Sequence, residues 1–329
     1  MSDRWGRYAP SPSGPQHLGN LQTALGAWLQ TRVCGGGFIL RIEDLDLDRS
    51  HPQHSSKIIE DLRWLGLNWD VGPGAGDVSD YLQSHRSAHY HAALEHLRNA
   101  DLLYPCTCSR RDIRTIASAP HGPLGTVYPG ICSGNALPPQ FRWQSEVDHP
   151  AAVRFRSGTG RQSFVDVVQG QFTCDIAREV GDFVVFRRDG LVAYHLAVVV
   201  DDIAMNVTDV VRGGDLIASV FPQSCLYQAL GMRPPRYWHL PLRMDESGER
   251  LSKRDGAQSL ATLIDSGMSP EQVIGILASG LGLIDRELPI SLAELVCDLD
   301  ESRLIEAFRS TCPDNKYASQ FRDEADQEL

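Results

Sequence analysis

The sequence predicts an α/β fold on an open parallel sheet, carrying an insert and a helical C-terminal part. Three observations predict it. Strand-like and helix-like runs alternate before residue 101 and again after residue 190. A Pro/Ser/Gly loop joins the first strand to the first helix, Arg7–Asn20, RYAPSPSGPQHLGN. Carboxylates directly follow the second strand, where open α/β sheets bind ligands.

The bulk numbers agree. At 329 residues, two or three structural units are expected. Apolar residues make up 42% and charged residues 22%, a balance suited to a soluble core-forming chain. There is no apolar run long enough for a membrane span and no apolar leader core in MSDRWGRYAP, so the expected place is the cytoplasm, with no membrane partner. Eight cysteines are too few for a disulfide framework. A net charge of −11 argues against a general nucleic-acid coat but leaves room for a local basic RNA-binding face.

In chain order, a short strand ends near Tyr8, and Pro10, Pro12 and Pro15 exclude regular structure after it. Leu18, Leu21, Leu25, Trp28 and Leu29 then fall at helical spacing. His17 and Asn20 add side-chain donors to the helix N-terminus, and Gly14 and Gly19 allow close approach; together they form a nucleotide-phosphate cradle. Phe38–Ile42 reads as a strand running into Glu43, Asp44, Asp46 and Asp48. Glu43 is the functional candidate; Asp46 and Asp48 read as structural.

Residues 52–65 read as a helix, and Gly72–Gly76 as a turn. Tyr81–Leu103 reads as one helix, in which His85 and His89 lack a matching third ligand and read as surface residues. Cys106, Cys108 and Cys132 bracket a loop and can hold Zn²⁺, with Tyr128 or His121 as fourth ligand, or stand as buried thiols. Arg110, Arg111 and Arg114 form a basic patch beside them. Strands at Ala152–Phe155, Gln162–Val168, Gly170–Ile176 and Phe183–Arg187 break the alternation, so residues 101–190 read as an insert.

Leu191–Val200 is nearly continuous apolar sequence and predicts a buried parallel strand with a helical start, followed by Asp201 and Asp202. Val207–Val211 is a strand ending in Arg212, and an Arg at a strand's end calls for an anionic partner. Ile217–Leu230 is helical, and a strand begins at His239. Basic residues between Gly248 and Gly256 suit a phosphate-closing loop. Residues 259–311 are helical, and the charged Pro313–Leu329 is expected to fray.

PSPSGPQHLGN and RLSKR together resemble the HIGH and KMSKS motifs of class I aminoacyl-tRNA synthetases, in order and separation. RYAPSPSG, RIEDLD and YHLAVVVDD with VVRGGDL resemble the glutamyl branch. Cys106-x-Cys108, Tyr128 and Cys132 resemble the zinc site of its shortened paralogues, the glutamyl-Q tRNA(Asp) synthetases. The resemblance covers about residues 4–260, and 76 residues follow Lys253, too few for an anticodon-binding domain. It implies a Rossmann-type catalytic domain of this class, divided as 1–100 (first half), 101–190 (zinc-containing insert), 191–245 (second half) and 246–329 (KMSKS-like loop and helical region).

The implied partners are ATP with Mg²⁺, L-glutamate and queuosine-containing tRNA(Asp), with a structural Zn²⁺ and a monomeric chain. The implied reaction activates glutamate as its adenylate without needing tRNA, then passes it to the queuosine base in the anticodon loop. The implied glutamate pocket is Arg7, Ala9, Ser11, Glu43, Tyr194 and Arg212. His17, Gly19, Asn20 and Lys253 fall to ATP, with His17 and Lys253 catalytic, and Cys106, Cys108, Tyr128 and Cys132 to zinc. Two departures stand out: Asn20 replaces the second His of HIGH, and Arg250 and Arg254 flank Lys253 in the second motif. The competing readings are a minimal glutamyl-tRNA synthetase charging the 3′ end of tRNA(Glu), a non-catalytic glutamate- or RNA-binding paralogue, and a small-molecule adenylyltransferase.

Overall fold

The computed structural model describes residues 3–46, 48–75, 79–109, 111–113, 125–144, 149–241, 259–312 and 321. In chain order its elements are β1 (Trp5–Tyr8), α1 (Leu18–Val33), β2 (Gly37–Leu40), α2 (Pro52–Trp64), α3 (Ser87–Asn99), β3 (Leu103–Cys106) and β4 (Ala152–Phe155). There follow β5 (Arg161–Asp166), β6 (Gly170–Asp175), β7 (Phe183–Phe186), α4 (Tyr194–Ala204), β8 (Asp209–Gly213), α5 (Val220–Ala229) and β9 (Arg236–Leu240). The chain closes with α6 (Leu260–Asp265), α7 (Pro270–Gly280), α8 (Leu292–Cys297) and α9 (Glu301–Ser310).

Four strands form a parallel sheet in the order β2-β1-β8-β9. Side-chain alternation divides its core into two faces. Phe38, Leu40, Val211, Trp238 and Leu240 pack with α1 and the C-terminal helices on one side. Ile39, Val210 and Tyr237 pack with Val220 of α5 on the other. α1 lies hard against β1, because a Cβ at Gly6 would fall 2.0 Å from Thr31 Oγ1. The winding direction reverses between β1 and β8, so a crevice opens at the carboxyl ends of those strands.

Between the two halves of this sheet, β3, β4 and β7 form an antiparallel sheet, and β5 and β6 form a separate hairpin. The hairpin turn docks on the main sheet: Val167 N–H donates to Tyr237 O at 2.9 Å, and Gln169 Nε2 to His239 O at 2.9 Å.

Two expectations from sequence are corrected. Leu191–Val200 is not a strand; its apolar residues belong to α4, from Leu196 to Val200 buried throughout. A helix enclosed on most sides carries the same unbroken apolar run as a buried strand. Tyr81–Leu103 is not one helix. Two single 3₁₀ turns, Ser79–Tyr81 and Gln83–His85, precede α3, and Leu103 opens β3. Arg86 breaks the helix: its Nε donates to Asp201 at 2.6 Å and its Nη1 to Asp80 O at 2.7 Å.

Asp201 and Asp202 of α4 anchor a buried charge network. Arg41, fully buried just beyond β2, donates to Asp202 at 2.6 Å and lies 3.8 Å from Asp201 and 3.1 Å from Glu43. Gln83 and Tyr90 also donate to Asp201, at 2.7 and 2.9 Å. Arg7 Nε stands 3.6 Å from Asp202. Removing one partner of such a set leaves uncompensated buried charge. Arg41→Met is therefore expected to lower the unfolding free energy by about 3–5 kcal/mol in urea denaturation. A loss below about 1 kcal/mol would show that the network is not what joins β2 to α4.

Candidate active site and metal centre

The crevice at the sheet switch point is a cleft of about 340 Å³. β1 contributes Arg7 and Tyr8, the loop after it Ala9, Ser11, Ser13 and His17, and the first turns of α1 Gly19, Asn20 and Thr23. Glu43, Tyr194, Arg212 and Asp215 complete the opposite wall. Every glutamate- and nucleotide-site residue expected from sequence, apart from Lys253, thus lines one cavity. Lys253 lies within 242–258, outside the described residues. The residues flanking that segment stand at the cleft: Pro241 lines it, while Ser259 forms a β-bridge with His17 and Leu260 N–H donates to Gln16 O at 3.2 Å.

His17 is the N-cap of α1. Its Nδ1 accepts the Asn20 N–H at 3.3 Å, which places the proton of a neutral ring on Nε2. Gly19 makes room for that ring, since a Cβ there would sit 3.1 Å from its Cε1 and Nδ1. The helix dipole adds positive potential to this corner. A cap, a positive helix end and a ring donor suit a phosphate.

The other wall suits an amino acid with two carboxylates. Glu43 is buried against Arg41, and burial raises its pKa, with Arg41 and Arg7 pulling it back only in part. Tyr194, at the start of α4, is 41% exposed and lines the open cleft.

Arg7 and Arg212 differ in a way that matters. Arg7 is tied to Asp202 and to Val211 O. Arg212 is 4% exposed, and its three hydrogen bonds among the described residues go to neutral acceptors. Nε donates to His239 Nε2 at 2.9 Å, Nη1 to Gln223 Oε1 at 2.9 Å and Nη2 to Leu216 O at 3.1 Å. The guanidinium also packs over Tyr237, 5.1 Å from its ring centre. Among the described residues no carboxylate forms an ion pair with it. The pocket wall therefore holds a fixed cation in need of an anion.

Sequence reasoning missed Arg41, Asp166, Gln223 and His239 as site-supporting residues. Arg41 offered a signal, a charge inside the apolar run FILRI. Gln223, Asp166 and His239 offered none, because their contacts cross 11 to 73 residues of chain.

A second cluster lies in the β3–β4–β7 unit. The sulfurs of Cys106, Cys108 and Cys132 fall within 4.8 Å of one another, Cys108 and Cys132 at 3.6 Å. Tyr128 Oη is 3.4 Å from Cys106 Sγ and 3.6 Å from Cys108 Sγ, and accepts the Cys132 N–H at 2.8 Å. A tetrahedral zinc centre with Zn–S of about 2.3 Å and Zn–O of about 2.0 Å has S–S edges of about 3.8 Å and S–O edges of about 3.5 Å. The Cys108–Cys132 edge and the edges from Tyr128 Oη to Cys106 and Cys108 lie close to those lengths. Burial pushes the Cys132 thiol up, but hydrogen bonds from Tyr128, the Thr107 N–H and the other two thiols outweigh it and bring it down to about 7. His121, the rival fourth ligand, lies outside the described residues. Arg110 and Arg114 do so as well.

Residues 5–287 match the family described as tRNA synthetases class I (E and Q), catalytic domain. A glutamyl-Q tRNA(Asp) synthetase of Symbiobacterium thermophilum is 47% identical over 91% of this chain and 93% of its own. Another, from Nitratidesulfovibrio vulgaris, is 44% identical over 86% and 88%. Among solved structures, a glutamate tRNA ligase from Elizabethkingia meningosepticum in complex with its amino acid superposes with a TM-score of 0.79 at 27% identity, covering 100% of this chain and 70% of that one. On the extent of these matches, the chain belongs to the class I tRNA synthetases of the E and Q group.

Proposed function

We propose that this chain is an ATP-dependent ligase that activates L-glutamate as glutamyl-adenylate and transfers it to the queuosine base in the anticodon loop of tRNA(Asp). The observation that carries the glutamate assignment is Arg212, a buried guanidinium on the cleft wall held by neutral acceptors. A substrate carboxylate completes its charge balance, whereas the neutral amide of glutamine leaves it unpaired. The names of the relatives support the acceptor.

In this reading Arg7 and Arg212 take the substrate carboxylates, Glu43 its ammonium, and Ala9, Ser11 and Tyr194 line the pocket. His17, Gly19, Asn20 and Lys253 hold MgATP. The α-carboxylate attacks the α-phosphorus in line and pyrophosphate leaves, with His17 and Lys253 stabilising charge on the phosphates. An acceptor hydroxyl then attacks the mixed anhydride and AMP leaves. Residues 101–190 form the insert between the two catalytic halves, 1–100 and 191–245, ahead of the loop and helical region at 246–329. Cys106, Cys108, Tyr128 and Cys132 would hold a zinc ion that braces the insert, a closed site without an open position for substrate. The chain acts as a monomer.

One outcome separates the acceptors. Labelled glutamate, ATP and Mg²⁺ are incubated with queuosine-containing tRNA(Asp), queuosine-free tRNA(Asp) or tRNA(Glu). Label is expected on the first alone; label on tRNA(Glu) makes the chain a glutamyl-tRNA synthetase instead. For the metal, the purified chain is expected to carry about one equivalent of zinc by elemental analysis. Cys108→Ser and Cys132→Ser are expected to lose it, and Tyr128→Phe to release it to a chelator faster. A folded wild-type chain that takes up no zinc contradicts the ligand set.

A further inference from the structure

We propose that Asp166 and His239 form a positioning pair that presents a hydrogen-bond acceptor to Arg212 and thereby fixes the guanidinium for the substrate side chain. The proposal rests on the glutamate reading of the cleft. Its basis is a proton whose place the structure determines. An arginine Nε carries a hydrogen and can only donate, so His239 Nε2, 2.9 Å away, must accept. The ring proton is then on Nδ1, which faces Asp166 Oδ2 at 2.6 Å. Both side chains are fully buried. Burial keeps His239 neutral, with Asp166 opposing and Arg212 reinforcing that effect.

Asp166 is itself oriented by its own turn. Its Oδ1 accepts the N–H groups of Val168 at 3.0 Å and Gln169 at 2.9 Å, an Asx-type turn at the end of β5. Oδ2 faces the imidazole, and the His239 N–H is shared between Oδ2 at 3.2 Å and Oδ1 at 3.3 Å. The relay therefore runs from a hairpin turn, through a carboxylate and an imidazole, to the arginine in the cleft. Gln223 Oε1 supplies a second acceptor to the same guanidinium. Neither Asp166 nor His239 lines the cleft, so the pair acts through Arg212 alone.

Asp166→Asn inverts the relay with almost no change of shape. The amide oxygen must stay at the Oδ1 place, because two loop N–H groups point there. The amide nitrogen then occupies the Oδ2 place and faces ring Nδ1 as a donor. The ring proton moves to Nε2, where it meets the Arg212 Nε–H, and the guanidinium loses its acceptor.

The experiment combines histidine ¹⁵N NMR with glutamate-dependent ATP–pyrophosphate exchange. In the wild type, His239 is expected to show a protonated Nδ1 and a bare Nε2; in Asp166→Asn the two are exchanged. The KM for glutamate is expected to rise about 10- to 100-fold while that for ATP stays within about threefold. With Asp166 intact, His239→Gln keeps a donor for the carboxylate and an oxygen acceptor for Arg212, and its glutamate KM is expected to stay within about fivefold of wild type. An unexchanged tautomer, or an exchanged one with unchanged glutamate KM, overturns the proposal. If Asp166→Asn does not fold, His239→Gln and His239→Leu are compared: only Leu should raise the glutamate KM, and equal values overturn the proposal. A wild type without glutamate-dependent exchange instead overturns the glutamate reading on which it rests.

Discussion

The buried guanidinium of Arg41 is the interaction on which the site depends. It gathers Glu43, Asp201 and Asp202 from two separate parts of the chain, and Asp202 in turn reaches Arg7 of β1. Each of these charges would be costly alone in the interior. Three guanidinium groups, Arg7, Arg41 and Arg86, stand among three carboxylates, so the set is balanced. Balance is what lets α4 pack against Arg7 of β1 and Arg41 after β2, with Tyr194 at its start lining the cleft. A pocket wall made from β1, the segment after β2 and α4 is thereby held in one geometry.

Arg212 stands in contrast. It is as buried as the network arginines, yet a histidine, a glutamine and a backbone carbonyl hold it. Neutral acceptors orient a guanidinium without discharging it. Arg41 and Arg86 are thus spent within the fold, whereas Arg212 is kept for a ligand. That division leaves an oriented, buried cation on the cleft wall of a chain whose net charge is −11.

The legible parts of the sequence were those where local chemistry restricts the backbone. Three prolines between β1 and α1, and the period of α1 itself, gave the cradle. The C-x-C spacing with a distant third Cys gave the thiol cluster, though not its fourth member; the structure sets the Tyr128 hydroxyl among the thiols. The α4 run misled because a helix buried on most sides and a buried strand have the same apolar text. Sheet order was illegible, since β1 pairs with β8 across about two hundred residues. So were Gln223, Asp166 and His239, whose roles exist only through contacts that no spacing encodes.

The claim that Arg212 is an anion receptor is tested most directly by pyrophosphate exchange with glutamate and with glutamine, in the wild type and in Arg212→Ala. The account predicts that the wild type prefers glutamate by about a thousandfold or more and that Arg212→Ala loses most of that preference through a collapse of glutamate-dependent exchange. An Arg212→Ala chain that still selects glutamate at the wild-type level would contradict it.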